Sequence, residues 1–183
     1  MDSHLAAKAR IVAAALAVTA CTVVPGTPTR VPVPTNVAGL PSVVFVPCEA
    51  IPRTVLRQQH LNSSPVATTA ASARAGAESR TCTYRSTDRS HHVTIIASNN
   101  TFGQDHNDLA RRGSKNLIIG GRRAIVFDLA APAGTSACEI DTAAITGIYG
   151  VQISNPGADY APYPDCPTAA RHYTEVFMPY FPY

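Results

Sequence analysis

RTCTYRSTDRSHHVTIIAS, residues 80–98, decides the fold. Successive side chains on a strand point to opposite faces. Arg80–Arg85 therefore sets Cys82 and Tyr84 on one face. His92–Ser98 sets Val93, Ile95 and Ala97 against Thr94 and Ile96. Two alternating runs joined by a short polar link read as an antiparallel hairpin with one apolar face. Downstream, Leu117–Ile119 and Ala124–Phe127 are apolar arms around Gly120-Gly121, a pair suited to a tight turn. Cys138–Asp141 and Ile148–Ser154 read as further strands, with Val151 and Ile153 sharing a face.

Helical signals lie around these strands. Gln104–Arg112 reads as a short polar helix ended by Gly113. Near the C-terminus, Asp165 suits an N-cap and Pro167 the first turn, while Ala170, Tyr173, Val176 and Phe177 recur at helical spacing. Upstream, Ser42–Val46 is a short β-branched run, and a helix is expected around Arg53–His60 with Val55 and Leu56 inward. Residues 62–79, rich in Ser, Ala and Thr and without a period, read as a loop. The expected class is α+β: a mostly antiparallel sheet with short helices packed on it.

The chain has 183 residues, 45% hydrophobic and 15% charged. That length suits one domain, and the apolar content is too high for a wholly disordered chain. A formal net charge of +3 is too mild for a nucleic-acid footprint, so no nucleic-acid partner is expected.

The N-terminus carries the localisation signal. Lys8 and Arg10 precede an unbroken apolar run, Ile11 to Ala20, the build of an export signal. The run is about half the roughly 20 residues that span a bilayer. Val18-Thr19-Ala20-Cys21 resembles a bacterial lipobox, in which the cysteine thiol accepts diacylglycerol and becomes residue one. Acyl chains contribute about 0.8 kcal/mol per buried methylene, enough for a firm membrane anchor. Residues 21–42 hold the prolines and threonines of a tether, since dense proline favours extended conformations. The expected organisation is a signal peptide (1–20), a lipidated Cys21 with its tether (21–42), a globular domain (43–179) and a tail (180–183). The expected location is the extracytoplasmic face of the cell membrane.

Setting Cys21 aside leaves Cys48, Cys82, Cys138 and Cys166, an even number in an exported chain. Three pairings are possible. Cys48–Cys82 with Cys138–Cys166 is favoured because it closes the two shortest independent loops. Each loop of roughly 30 residues would contribute about 3–4 kcal/mol in the chain-entropy picture. Metal binding is disfavoured, since there is no Cys-x-x-Cys and no His at ligand spacing from a Cys.

The ordered set of lipobox, Pro47-Cys48 before a helix, Cys82-Thr83-Tyr84 opening a strand, NLIIGGRRAIVF (116–127), the strand Cys138 and Asp165-Cys166 resembles a known group. It is similar to actinobacterial, mainly mycobacterial, lipoproteins of the Lpr and Lpp type built on a four-cysteine domain of unknown function. The resemblance covers roughly Val43 to Phe177. It implies a cell-envelope lipoprotein, supports the same disulfide pairing and implies no established reaction. Tyr84 stands where the group often has Trp.

No catalytic set emerges from the residues, and an enzyme is not expected. The chain lacks a Gly-x-Ser-x-Gly elbow, and Gly134–Ala137 reads as a turn beside a structural cysteine. Gly120-Gly121 lacks the Lys-Ser/Thr ending of a phosphate loop. His91 and His92 face opposite sides of a strand, and Asp105 and Asp108 read as helix-start carboxylates rather than a calcium site. No cofactor or metal is expected.

Two groups of residues are candidates for ligand or partner contact. Arg111, Arg112, Lys115, Arg122 and Arg123 place five cations in 13 residues, a patch suited to anionic lipid or phosphorylated glycan. Eight of the 12 aromatics lie from Tyr149 onward, and Tyr160 and Tyr163 suit a groove for an apolar or sugar ligand. The plainer uses are a solvated turn for the cations and core packing for the aromatics. The functional expectation is a non-catalytic module binding an envelope protein, lipid or glycan. The competing expectation is an envelope hydrolase or transferase, which convergent buried carboxylates or a Ser–His contact would favour.

Overall fold

A computed structural model describes residues 32–73, 76–106, 112–130, 132–157 and 159–183. The expected signal peptide, Cys21, the first half of the tether (residues 21–31), Asp108 and Arg111 lie outside the described residues.

In chain order the elements are α1 (Pro47–Ala50), α2 (Arg53–Gln58), β1 (Ala67–Ala73), β2 (Ala77–Arg85), β3 (His92–Ser98) and α3 (Phe102–His106). They continue with β4 (Arg112–Ile119), β5 (Arg122–Asp128), β6 (Ser136–Ala144), β7 (Gly147–Asn155) and α4 (Cys166–Phe177). The strands form one antiparallel sheet in the order β1-β2-β3-β7-β6-β5-β4. Five connections join antiparallel neighbours in sequence, and the longer β3–β4 connection lets the chain return so that β7 pairs with β3 at the centre. The fold is α+β with both disulfides, Cys48–Cys82 and Cys138–Cys166.

Alternation explains the core. Cys82 and Tyr84 lie in register with Ile95 and Val93, which in turn face Val151 and Ile153 on β7. All six are fully buried. Helix α4 packs over β6 and β7. Asp165 Oδ1 accepts the Thr168 amide at 2.8 Å, satisfying an orphan donor at the helix start. Ala170, Tyr173 and Phe177 are buried, and Val176 is half-buried beside them. Cys166 sits at the first turn of α4, so its disulfide ties that helix to β6. The other disulfide ties α1 to β2. Leu56 of α2 is buried, and Val55 packs partly against the same core.

Several boundaries differ from expectation. Residues 62–79 hold strand β1 and the start of β2 rather than a loop. The seven-pair ladder from Ala67↔Thr83 to Ala73↔Ala77 supplies the order there. Residues 67–71 are exposed, so no apolar alternation marks the strand. Helix α3 starts at Phe102 rather than Gln104. The Gln104 amide donates to Thr101 Oγ1 at 3.3 Å, and the Thr101 amide donates to Gln104 Oε1 at 2.7 Å. This reciprocal capping box fixes the helix start. Arg112 already belongs to β4, paired with Asp128, and Gly113 lies within a register shift at φ +70°.

Both ends of the domain are more closely docked than the sequence suggests. Thr35 bridges Pro41, and the Ser42 amide donates to Pro34 O at 2.8 Å. Asn36 Nδ2 donates to Glu78 Oε1 at 2.9 Å, and the Val43 amide donates to Glu78 Oε2 at 3.0 Å. The Val43 amide and then Asn36 hold the Glu78 carboxyl below its usual range. Domain contacts therefore begin ahead of Val43, within the segment read as tether. At the other end Phe181 is buried, stacked on Tyr149 at 5.4 Å and edge-on to Phe45 at 5.8 Å.

Candidate functional site

One end of the sheet opens into a cleft of about 510 Å³. Its walls are Leu40-Pro41, the segment from Asn99 to Gln104, Arg123 of β5 and the β6–β7 turn. Asn99 is fully used in building it. Its Oδ1 accepts the Glu78 amide at 2.7 Å, while Nδ2 donates to Pro41 O at 3.0 Å and Gly76 O at 2.8 Å. Gly147, at φ +141°, brings the β6–β7 turn against the Ser98 and Asn99 backbone, where any Cβ would collide. Arg123 is exposed, its guanidinium 5.2 Å from the centre of the Phe102 ring. Among the described residues no carboxylate pairs with it.

The five expected cations do not share one surface. Arg122 and Arg123 are adjacent on β5 and diverge. Arg122 is buried, donating from Nη1 to Pro182 O at 2.6 Å and from Nη2 to Phe181 O at 2.8 Å. Its guanidinium lies 4.2 Å from the Tyr183 ring, so it clamps the C-terminal segment. Lys115 is exposed on β4, and Arg112 is the first residue of that strand. Of the three whose side chains are described, Lys115, Arg122 and Arg123, only Arg123 lines the cleft.

Tyr160 and Tyr163 also separate. Tyr160 is buried, with no hydrogen-bond partner for its hydroxyl among the described residues. Tyr163 lines a second cavity of about 260 Å³ with Gln59, His60, Asp88, His91 and Tyr173. Here His91 is buried, as burial of the aromatic layer requires. Its Nε2 lies 3.0 Å from Tyr173 Oη, and its Nδ1 lies 2.8 Å from Ser90 Oγ. Ser90 Oγ donates to Asp88 Oδ1 at 2.9 Å. The consistent arrangement has Nδ1–H donating to Ser90 and Tyr173 O–H donating to Nε2.

The electrostatics agree with that pattern. Burial pushes His91 below its ordinary value, against the opposing pull of Asp88. Burial also pushes the Tyr173 hydroxyl well up. Hydrogen bonds from Ser86 and Ser90 lower Asp88 to about 2. Although Ser90 and His91 touch, this is not the geometry of an activated nucleophile. The serine proton is directed at Asp88, and the far ring nitrogen meets Tyr173 rather than an orienting carboxylate. His92 faces the other way and accepts from Arg85 Nε at 3.2 Å.

Two carboxylates missed in the sequence lie on the sheet face opposite α4. Glu139 and Asp141 of β6 are buried, and a Cβ at Gly150 would collide with Asp141 Oδ1 and press on Glu139 Oε1. Gly150 thus makes room for both. The two carboxylates are engaged in other interactions, as is neighbouring Phe127. Their signal is present in Cys138-Glu139-Ile140-Asp141, where acid alternates with core residues at period two.

The remaining candidates are structural. Gly120 and Gly121, at φ +55° and +78°, form the two-residue β4–β5 turn. Gly134 lies in the turn before β6, which Ser136 opens. Asp105 falls within α3. Among the described residues, no three His, Cys, Asp or Glu side chains gather as a metal set.

A family model described as a protein of unknown function, DUF3558, matches residues 16–179. No curated protein and no solved structure matches the chain.

Proposed function

We propose, for a chain that belongs to the DUF3558 family, the role of a lipid-anchored binding domain on the outer face of the cell membrane, without catalysis of its own. The lipobox-like Val18–Cys21 and the resemblance to actinobacterial Lpr- and Lpp-type lipoproteins support the anchor and the location. Two disulfides in one small domain favour an oxidising compartment.

The observation that carries the binding role is the cleft at the sheet end. It combines a cation without a carboxylate partner among the described residues, Arg123, with an aromatic ring, side-chain amides and an apolar wall of Leu40, Pro41 and Ile145. An exposed guanidinium favours a phosphate or carboxylate, amides suit hydroxyls, and the apolar wall suits a sugar or lipid face. The fitting ligand is a phosphorylated glycan or lipid headgroup of the envelope. Calorimetric titration with mannose 6-phosphate, mannose and phosphatidylinositol vesicles tests this. The expected result is binding of the phosphate esters over mannose, weakened about tenfold by Arg123→Gln and unchanged by Arg171→Gln. Equal binding by the Arg123 variant, or none by the wild type, would contradict it.

The competing reading, a hydrolase or transferase acting on envelope glycans or lipids, has only the Ser90–His91 contact to draw on, and that contact is not arranged as an activated nucleophile. Ester hydrolysis abolished by both Ser90→Ala and His91→Gln would establish that alternative.

A further inference from the structure

The two edges of the sheet are built differently. On β4 the register shifts between Arg112 and Lys115, Gly113 adopts a left-handed conformation, and Lys115 projects into solvent. Bulges and charges of this kind blunt an edge against pairing. On β1 none of these devices is present. Ala67–Ala73 reads ATTAASA, without a charge or a proline, and keeps an unbroken register with β2 over seven pairs.

Strand β1 is also costly to order for what it packs. Residues 67–71 are all exposed, so their order rests on the ladder and on contacts such as Thr69 Oγ1 to Thr81 Oγ1 at 2.6 Å. Fixing a backbone costs about 1–2 kcal/mol per residue. A strand that buries little gains most from a second neighbour on its open side.

We propose that β1 is a self-association edge, pairing antiparallel with β1 of a second copy to continue the sheet across a two-fold axis. The sequence favours this occupant over a foreign strand. Centred on Ala70, the strand places Ala67 opposite Ala73, Thr68 opposite Ser72 and Thr69 opposite Ala71. Every pair is small and none carries charge. An isologous interface needs such self-complementarity. The edge offers no charged side chain with which to select a different sequence. A seven-residue ladder buries less than the roughly 1,200–2,000 Å² of a standard interface, so the dimer is weak when dilute and grows with local concentration.

The test is sedimentation equilibrium of the full chain carrying Cys21→Ala, which excludes association through acyl groups. The expected result is a concentration-dependent dimer. Ala70→Lys and Ala71→Lys, one on each face of β1, should each raise its dissociation constant about tenfold or more, while Ala70→Thr preserves it. Circular dichroism melts should be unchanged, since both sites are exposed. A strict monomer at sub-millimolar concentration would overturn the proposal. So would lysine variants that dimerise as the wild type does, or binding of only a foreign strand.

Discussion

Tyr84 and His91 show how differently two buried polar residues can be treated. Tyr84 is fully buried, its hydroxyl without a hydrogen-bond partner among the described residues, and burial raises its pKa. Leaving such a group unsatisfied costs about 1–3 kcal/mol. Tyr84→Phe should therefore leave stability unchanged or raise it by about 1 kcal/mol in urea titration, and a loss above that size would show an unseen partner. His91 is instead satisfied at both ring nitrogens. Its folded pKa lies below the ordinary 6.5, so the unfolded chain takes up the proton first. Stability is then level above that value and falls as pH drops through it toward the folded pKa. One proton contributes at most about 1.4 kcal/mol per pH unit. Asp88, lowered to about 2, stays charged throughout that window and faces His91 with Tyr173, while neighbouring His92, on the other side of the strand, opposes its protonation. Urea midpoints between pH 7 and pH 5 should fall in the wild type and fall less in His91→Phe; parallel slopes would remove His91 as the cause. The tyrosine was legible as a core residue from alternation. The histidine's partner, 82 positions away, was not, because only the docking of α4 brings Tyr173 to it.

At the level of elements, legibility followed burial. The β2–β3 hairpin and α4 each bury one face and show the matching period in the sequence, while the Gly-Gly turn is marked by its two left-handed glycines. Strand β1 buries almost nothing, and its Ala, Ser and Thr carry no period to read. Helix α3 starts earlier than its polar run implies, because the Thr101–Gln104 capping pair sets its first turn. Among the candidate site residues, charge density suggested a patch at Arg122-Arg123, whereas strand alternation sends the two apart. The disulfides were legible from parity and loop length. Replacing both Cys138 and Cys166 by Ala should cost about 3 kcal/mol, since their 28-residue separation closes a long loop. The loosened start of α4 should then exchange amide hydrogens faster than β2 does. Uniform exchange across both elements would show that the bridge does not hold α4 in particular. Asp165→Ala should cost about 1 kcal/mol through the lost cap. Equal thermal midpoints for variant and wild type would count against that cap.

At the scale of the whole molecule, a disulfide-stapled domain with a cleft at one sheet end and an edge strand at β1 follows a segment proposed to be an export signal and lipobox. No helix among the described residues is long and apolar enough to cross a membrane; the proposed attachment is through Cys21. If acyl chains are attached there as proposed, the protein should partition into membranes, and Cys21→Ala should release it to the soluble fraction. Intact-mass spectrometry of the membrane-extracted native protein is the most direct measurement. The account predicts a chain beginning at Cys21 and carrying diacylglycerol, and a chain that retains its leader, or a bare thiol at position 21, would contradict it.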